Sequence, residues 1–293
     1  MNSKAQYTNM RLTASQYDIG AIEWMAPLLS GSSSRAWRIE SKKGSFILRR
    51  CRSVMAAADE HAISEVMLGC DFIPEVLLTK EGERFAMGED GFYNLQTRFE
   101  GEPLSEINEN TISEAAVILV TLHQRLRAAR LHLHGFDGFA LFGRSYEEII
   151  KLSEYPDAWP LFKRINEFYG PDSIREDCIH GDAGIWNFLS EKGSLRLIDF
   201  GEARMGSVYT DHAGFLVSAL EKTEEETAAQ YLRQYLDVCA EQGSPLDPAA
   251  LHTYIDHWLL KGLYVSLSYG NPERTIRRTM DIYDQFIRLF KAL

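Results

Sequence analysis

Two aspartates and an asparagine within one short stretch are the residues best suited to do chemistry. Asp182 closes His180-Gly181-Asp182, Asn187 follows five residues later, and Asp199 ends an apolar run as Ile198-Asp199-Phe200-Gly201. Cys178 and Ile179 lead into a turn carrying Asp182. Asn187-Phe188-Leu189 alternates like a strand, Glu191-Lys192-Gly193-Ser194 has hairpin-turn composition, and Leu195-Arg196-Leu197-Ile198 alternates again. A hairpin of this kind delivers two carboxylates and one amide to the same end. Hard oxygen donors that converge in this way suit Mg²⁺, which binds one or two carboxylates and completes its shell with water and phosphate oxygens.

The order and spacing match a phosphoryl-transfer pattern: a catalytic-loop Asp, an Asn five residues on, then the Asp of Asp-Phe-Gly. Either tripeptide alone means little; both in order, with an apolar hairpin between them, form a specific signal. On these residues the chain resembles the aminoglycoside phosphotransferase and choline kinase-like family. There the loop reads His-Gly-Asp with a following Asn, and continues through Asp-Phe or Asp-Trp to a Gly and an Asp, here Asp199-Phe200, Gly206 and Asp211. The resemblance spans roughly residues 25–215. It implies an α+β, two-lobed, protein-kinase-like fold: an N-terminal antiparallel sheet plus helix, and a mostly helical C-terminal lobe with a short catalytic hairpin. The corresponding division is residues 1–99 for nucleotide binding and 100–293 for catalysis and substrate. The implied activity is transfer of the γ-phosphoryl of ATP, with GTP equally open, to a hydroxyl of a small molecule. Aminoglycosides, amino alcohols, homoserine and sugar-like acceptors all fit. The alternative is a catalytically silent, kinase-like nucleotide-binding or assembly protein.

On this reading Asp182 orients and deprotonates the acceptor hydroxyl, Asn187 and Asp199 hold Mg²⁺, His180 shapes the loop, and Asp211 ties down its backbone. Other elements must bring the nucleotide. Ser30-Gly31-Ser32-Ser33-Ser34 is a small-residue loop between apolar segments, and such loops let backbone N–H groups approach a polyphosphate. The resemblance places a nucleotide loop here, with Ser30 where the family has Gly and Ser34 where it has Asn. Gly44–Arg49 reads as the next strand. Kinases carry a phosphate-binding Lys at its end; here Arg49 stands there, whose fork can hold phosphate bidentately. Ala56–Leu68 has helical composition, and Glu60 is its candidate partner for Arg49, with Glu65 a competitor. Glu75–Leu78 and Phe92–Phe99 read as strands. The latter runs into Gly101-Glu102-Pro103-Leu104 and resembles the family's hinge, which implies that backbone groups near Thr97 and Phe99 hold the adenine.

Thr13–Met25 reads as a short leading helix or an extended arm. Thr111–Ala129 is the clearest helix, with Thr111 and Glu114 as a capping box and a stripe of Ile112, Ala115, Ala116, Leu119, Leu122 and Leu126. His123 beside that stripe reads as a core residue, and Trp186 and Trp258 as packing residues. Only eleven residues separate Asp199 from Asp211, leaving no room for the activation segment and anchor of a protein kinase. The remainder reads as helices at 224–240, 248–269 and 272–290, a wall beside which the acceptor would sit.

Composition bounds these readings. A net charge of −11 argues against nucleic-acid binding, which rests on Lys and Arg. Residues 31–52 carry seven bases and one acid, whereas 202–260 carry ten acids and three bases, mildly favouring a cationic acceptor. Four cysteines without metal-ligand spacing read as reduced, mostly buried thiols of a cytoplasmic protein. No signal-peptide core is expected in the first residues. The apolar run Trp258–Tyr269, interrupted by Lys261, is too short to span a membrane. Oligomeric state is left open.

Overall fold

The computed structural model describes residues 3–28, 36–134, 177–267 and 272–293. Alternating apolar and polar residues in the first hundred positions build a five-stranded antiparallel sheet behind one leading helix. Helix α1 (Ser3–Ala14) precedes strands β1 (Ile22–Pro27), β2 (Ala36–Ser41) and β3 (Gly44–Cys51). Helix α2 (Val54–Val66) follows, then β4 (Ala86–Gly88) and β5 (Gly91–Thr97), in sheet order β1-β2-β3-β5-β4. Ile39, Leu48 and Leu95 from its three central strands lie fully buried on Met10, Tyr17 and Tyr93.

Register places the functional residues. Ala36 at the start of β2 faces Arg49 near the end of β3, and Arg49 in turn faces Asn94 on β5. The Ser30–Ser34 loop lies outside the described residues; the chain on either side of it is paired, Leu28 N donating to the Ala36 carbonyl at 2.8 Å. Arg49 therefore sits across the ladder from the end of that loop.

Two expectations change here. Thr13–Met25 is neither one helix nor an arm: it holds the end of α1, a turn, and the first four residues of β1, which pairs with β2. Glu75–Leu78 makes only a single bridge, Val76 to Gln96, with Leu77 N–H on the Leu95 carbonyl. The reason is edge sharing: β4 takes the Phe92–Tyr93 part of the same β5 edge, so neither segment can pair along its full length.

The larger core lies beyond residue 100, though Ile63 and Met67 from α2 and its flank belong to it. Strand β6 (Glu102–Pro103) pairs with β8 (Phe188–Glu191), which pairs with β9 (Ser194–Leu197). Strand β7 (Asp177–Ile179) pairs with β10 (Arg204–Gly206). Around these pack α3 (Glu109–Ala128), α4 (Tyr209–Leu220), α5 (Glu225–Glu241), α6 (Pro248–Leu267) and α7 (Pro272–Lys291). The expected α3 stripe is buried as a whole. Its cap is not Thr111 with Glu114: Asn108 is the N-cap, exchanging hydrogen bonds with Thr111, and Glu114 accepts from Leu195 N on β9 at 2.9 Å. Helix α4 had no counterpart in the sequence reading. All residues from Thr210 to Leu220 are buried, so it has no polar face to create a helical period. No described helix is long and apolar enough to cross a membrane.

Leu119 on α3 is fully buried in this core. Leu119→Ala is expected to lower unfolding free energy by about 2–5 kcal/mol, read from urea denaturation midpoints at unchanged m-value.

Candidate active site

Strand β7 ends at Ile179, and the chain turns at Gly181, whose φ of +82° is the left-handed conformation that glycine adopts without steric cost. A Cβ there would overlap the Glu202 carbonyl and the Arg204 guanidinium. One carboxylate fixes this turn. Asp211, fully buried at the start of α4, accepts from His180 N and Gly181 N, each at 2.7 Å, and from His123 Nε2 at 2.9 Å. His180 is buried below the loop, its Nδ1 accepting from Asp182 N at 3.3 Å and its Nε2 meeting the Ile198 carbonyl at 2.9 Å. The imidazole thereby links the loop to the end of the hairpin.

Asn187 and Asp199 meet at that end. Ile198 N donates to the Asn187 carbonyl at 2.9 Å, extending the β8–β9 ladder by one step. Lys192 and Gly193, both at positive φ, make the expected tight turn at the other end. Asn187 itself belongs to a short 3₁₀ turn, Ile185–Asn187, with the strand starting one residue later. Its Nδ2 donates to the Asp182 carbonyl at 2.7 Å and to Asp182 Oδ2 at 3.1 Å. Both amide hydrogens are committed, which leaves Oδ1 as the atom available to a cation. Asp199 is itself left-handed, with φ 65° and ψ 67°, a conformation Asp tolerates better than most residues. Its Oδ1 accepts from Arg49 Nη1 at 2.7 Å and Gly201 N at 3.3 Å, while Oδ2 takes no hydrogen bond from the described residues.

Arg49 joins the two halves of the molecule. It is buried on β3 and ion-paired to both Glu60 of α2 and Asp199. Burial alone would favour its discharge, but Glu60 and Asp199 more than compensate, and its pKa is raised. Of the two acids weighed for this partnership, Glu60 is buried and paired, whereas Glu65 is exposed near His61. Asn94, which sequence reasoning missed, braces Glu60 from β5 at 3.3 Å. Arg49 Nε is buried without an acceptor among the described residues, a guanidinium N–H left for an anion.

At the hinge, Thr97 N–H is already held by the Glu75 carbonyl at 2.9 Å and Arg98 N–H by the Ser45 carbonyl at 3.0 Å. Neither can read a base. The Phe99 ring is covered by the Arg196 guanidinium, 5.4 Å from its centroid.

Several residues at the site had been passed over. Trp186 is half exposed, and its Nε1 donates to Asp182 Oδ2 at 3.1 Å, so it is not a packing residue. Trp258 is buried as expected. Lys261 of α6 brings its Nζ within 3.5 Å of Asp182 Oδ1 and donates to the Gly181 carbonyl at 3.1 Å. Its one sequence signal was that it interrupts an apolar run. Trp186, Ser218, Glu221, Trp258 and Arg278 border a cavity of about 300 Å³ that shares the Trp186 wall with Asp182. Arg278 grips both oxygens of Glu221 at 2.7 Å, and Arg288 pairs with Glu225 at 2.9 Å. Part of the acidic excess read from the sequence is thus neutralised by α7.

The phosphotransferase enzyme family (APH) matches residues 24–251, more than three-quarters of the chain. The chain belongs to this family. Among solved structures, this phosphotransferase is similar to an amicoumacin kinase in complex with AMP-PNP, Ca²⁺ and Ami, at 16% identity over 97% of this chain and 96% of that one, TM-score 0.72. It is also similar to an aminoglycoside phosphotransferase from Alicyclobacillus acidocaldarius, at 16% identity over 96% and 93%, TM-score 0.67. A spectinomycin phosphotransferase in complex with ADP and spectinomycin matches at 13% identity over 98% and 97%, TM-score 0.59. No curated protein matches the chain significantly. The shared fold is the expected α+β, kinase-like one, with its antiparallel sheet before a mainly helical part.

Among the described residues of the phosphotransferase, no three His, Cys, Asp or Glu side chains gather into a metal cage. Asn187 Oδ1 and the free oxygen of Asp199 form a sparse, hard donor set, which fits Mg²⁺ arriving with its waters and a phosphate better than it fits a structural metal.

The loop anchor has a pH signature. Burial opposes the Asp211 charge, but the hydrogen bond from His123, the two imidazoles and the Gly181 N–H outweigh it and hold the carboxyl at about 2, against 3.8 for a free one. A depressed carboxyl stabilises the fold above its unfolded pKa and loses that contribution as pH falls through the folded one. Wild-type stability is therefore expected to decline between about pH 4 and pH 2 through this group. Asp211→Asn, which sets an N–H against donors, should lose about 3 kcal/mol or more at pH 7 and flatten that decline, both read by urea denaturation across pH.

Proposed function

We propose that this phosphotransferase moves the γ-phosphoryl group of ATP or GTP to a hydroxyl of a small molecule, with Asp182 as the base. The observation that carries this reading is the state of the Asp182 carboxylate. Oδ2 is held by Trp186 and Asn187, and the backbone beneath it is fixed through His180 and Asp211. Oδ1, facing among the described residues only the longer Lys261 contact, is the oxygen left to accept a hydrogen bond from an incoming hydroxyl and take its proton late in transfer.

Asn187 and Asp199 would hold Mg²⁺, whose chemistry, when bound, is to neutralise charge on the phosphates. Arg49, braced by Glu60, would meet the α- and β-phosphates through its unpaired Nε, beside the loop Ser30, Gly31, Ser32, Ser33 and Ser34. The transition state is loose and highly charged, so placement and charge neutralisation supply most of the rate. With Thr97 N–H committed, the adenine contact falls to the Thr97 carbonyl and the Phe99 backbone. The lobe boundary then lies between residues 99 and 100. The unpaired cysteines suit a reducing cytoplasm.

The acceptor belongs in the cavity between Trp186 and Trp258, whose volume suits a single small ring or amino alcohol. With Glu221 already bound by Arg278, a cationic acceptor would have to displace that arginine. Neutral polyols need no such displacement.

Phosphate transfer from Mg·ATP to a panel of hydroxylated amines, amino acids and sugars tests the proposal. Asp182→Ala should lower turnover at least about a hundredfold, and EDTA should abolish it. Turnover indifferent to the substitution refutes the assignment. Nucleotide binding without turnover on any acceptor supports the silent, kinase-like binding protein instead.

A further inference from the structure

Phosphoryl transfer needs a positive charge where the transferring group passes between its two partners. The loop from Asp182 to Asn187, Asp-Ala-Gly-Ile-Trp-Asn, contains no basic residue. Among the described residues, the other cations around the site are held by protein partners, Arg49 keeping only its Nε for the α- and β-phosphates. Arg49 is bound to Glu60 and Asp199, Arg52 to Glu202, and Arg204 to the carbonyls of Gly181 and Glu202 at 3.1 and 3.0 Å. Lys261 differs. It comes from α6, far along the chain, and reaches the base from the side opposite Asn187: Asn187 holds Oδ2, Lys261 faces Oδ1.

Its placement is defined by three contacts. Nζ donates to the Gly181 carbonyl at 3.1 Å, stands 3.5 Å from Asp182 Oδ1, and lies 4.4 Å from the Trp258 ring centroid. Trp258 is one helical turn earlier on the same face of α6, so the ring stiffens the lysine stem and stacks against its charge. An ammonium has three hydrogens. One is fixed on Gly181 and one is directed at Asp182, and the third has no acceptor among the described residues. The side chain is one-quarter exposed, so this third hydrogen can reach a substrate.

We propose that Lys261 is a further catalytic residue, the cation that meets the oxygens of the transferring phosphoryl group while holding Asp182 Oδ1 toward the acceptor hydroxyl. The proposal rests on the phosphoryl-transfer reading above. A hydroxyl oxygen bonded to Oδ1 lies about 2.7 Å from it, which puts the reacting oxygen and its phosphorus within reach of an ammonium on that same carboxylate oxygen. In the free protein Lys261 pairs with the carboxylate; during transfer the charge that builds on the phosphoryl oxygens gives it a stronger partner. An interaction that strengthens in the transition state raises turnover more than it changes nucleotide affinity.

The test compares a ground-state with a transition-state probe on the full chain. Binding of Mg·AMP-PNP and of Mg·ADP with aluminium fluoride is measured by calorimetry for wild type, Lys261→Met and Lys261→Arg, with phosphate release from Mg·ATP followed in parallel. Lys261→Met should weaken the aluminium fluoride complex at least about tenfold more than the AMP-PNP complex. It should also lower kcat about a hundredfold with KM for ATP within about threefold. Lys261→Arg, which keeps the charge, should recover a large part of both and serves alone if the methionine variant does not fold. Equal losses for the two probes, or an arginine variant no better than methionine, overturn the role of Lys261 while leaving the phosphotransferase reading intact. A wild-type chain that binds neither probe overturns both.

Discussion

A carboxylate with no solvent exposure organises the catalytic loop. Asp211 at the start of α4 accepts two consecutive backbone N–H groups of the loop and the ring of His123 from α3. Three separate elements thus converge on one charge. Such a charge is tolerated in the interior only because its oxygens are engaged, and the same engagement leaves the loop little freedom. With the His180 and Gly181 amides held, the direction of Asp182 follows, and His180 passes the constraint to the hairpin through the Ile198 carbonyl. The hairpin pairs Asn187 with Ile198, one residue before Asp199, and these hydrogen bonds fix the direction of Asp182 relative to it.

The second constraint spans the two cores. Arg49 on the five-stranded sheet binds Glu60 and Asp199 at once, so the position of α2 is coupled to the end of the catalytic hairpin. A buried guanidinium with two carboxylates has a net charge of −1, and its Nε–H has no acceptor among the described residues. This is an arrangement more apt for receiving a ligand than for holding two lobes together, since buried ion pairs contribute little net stability. Asn94 and the Asp199 backbone turn both serve the same geometry.

On the other side of Asp182, the C-terminal helices bring a cation beside a loop that has none. Trp186, Trp258 and Lys261 surround Asp182, and the adjoining cavity runs along α4, α6 and α7. The family match ends at residue 251, before Trp258 and Lys261. The cavity is thus lined from both sides of that boundary, Trp186, Ser218 and Glu221 within the family match and Trp258 and Arg278 beyond it. Differences in acceptor between members of one fold would be expected to arise there.

The hairpin with Asp182, Asn187 and Asp199 around it, its turn and the strand position of Arg49 were legible because each depends on local order: a fixed spacing, a two-residue turn with positive φ, a strand end. The α3 stripe was legible because one face is buried and the other is not. By contrast, α4 is buried all round and has no period to read, and Glu75–Leu78 has strand composition but must share an edge with β4. Glu114 looked like a cap because it stands three residues after Thr111; the structure gives it a β9 amide more than eighty positions away. Likewise, nothing in the order of residues joins Lys261 to Asp182. Sequence alone determined the spacing of Asp182, Asn187 and Asp199 and the hairpin that carries them, since those rest on short-range stereochemistry. Tertiary structure alone decided which oxygen of Asp182 is open and which cation attends it, because hydrogen bonds and ion pairs form between atoms that folding brings together, whatever their separation along the chain.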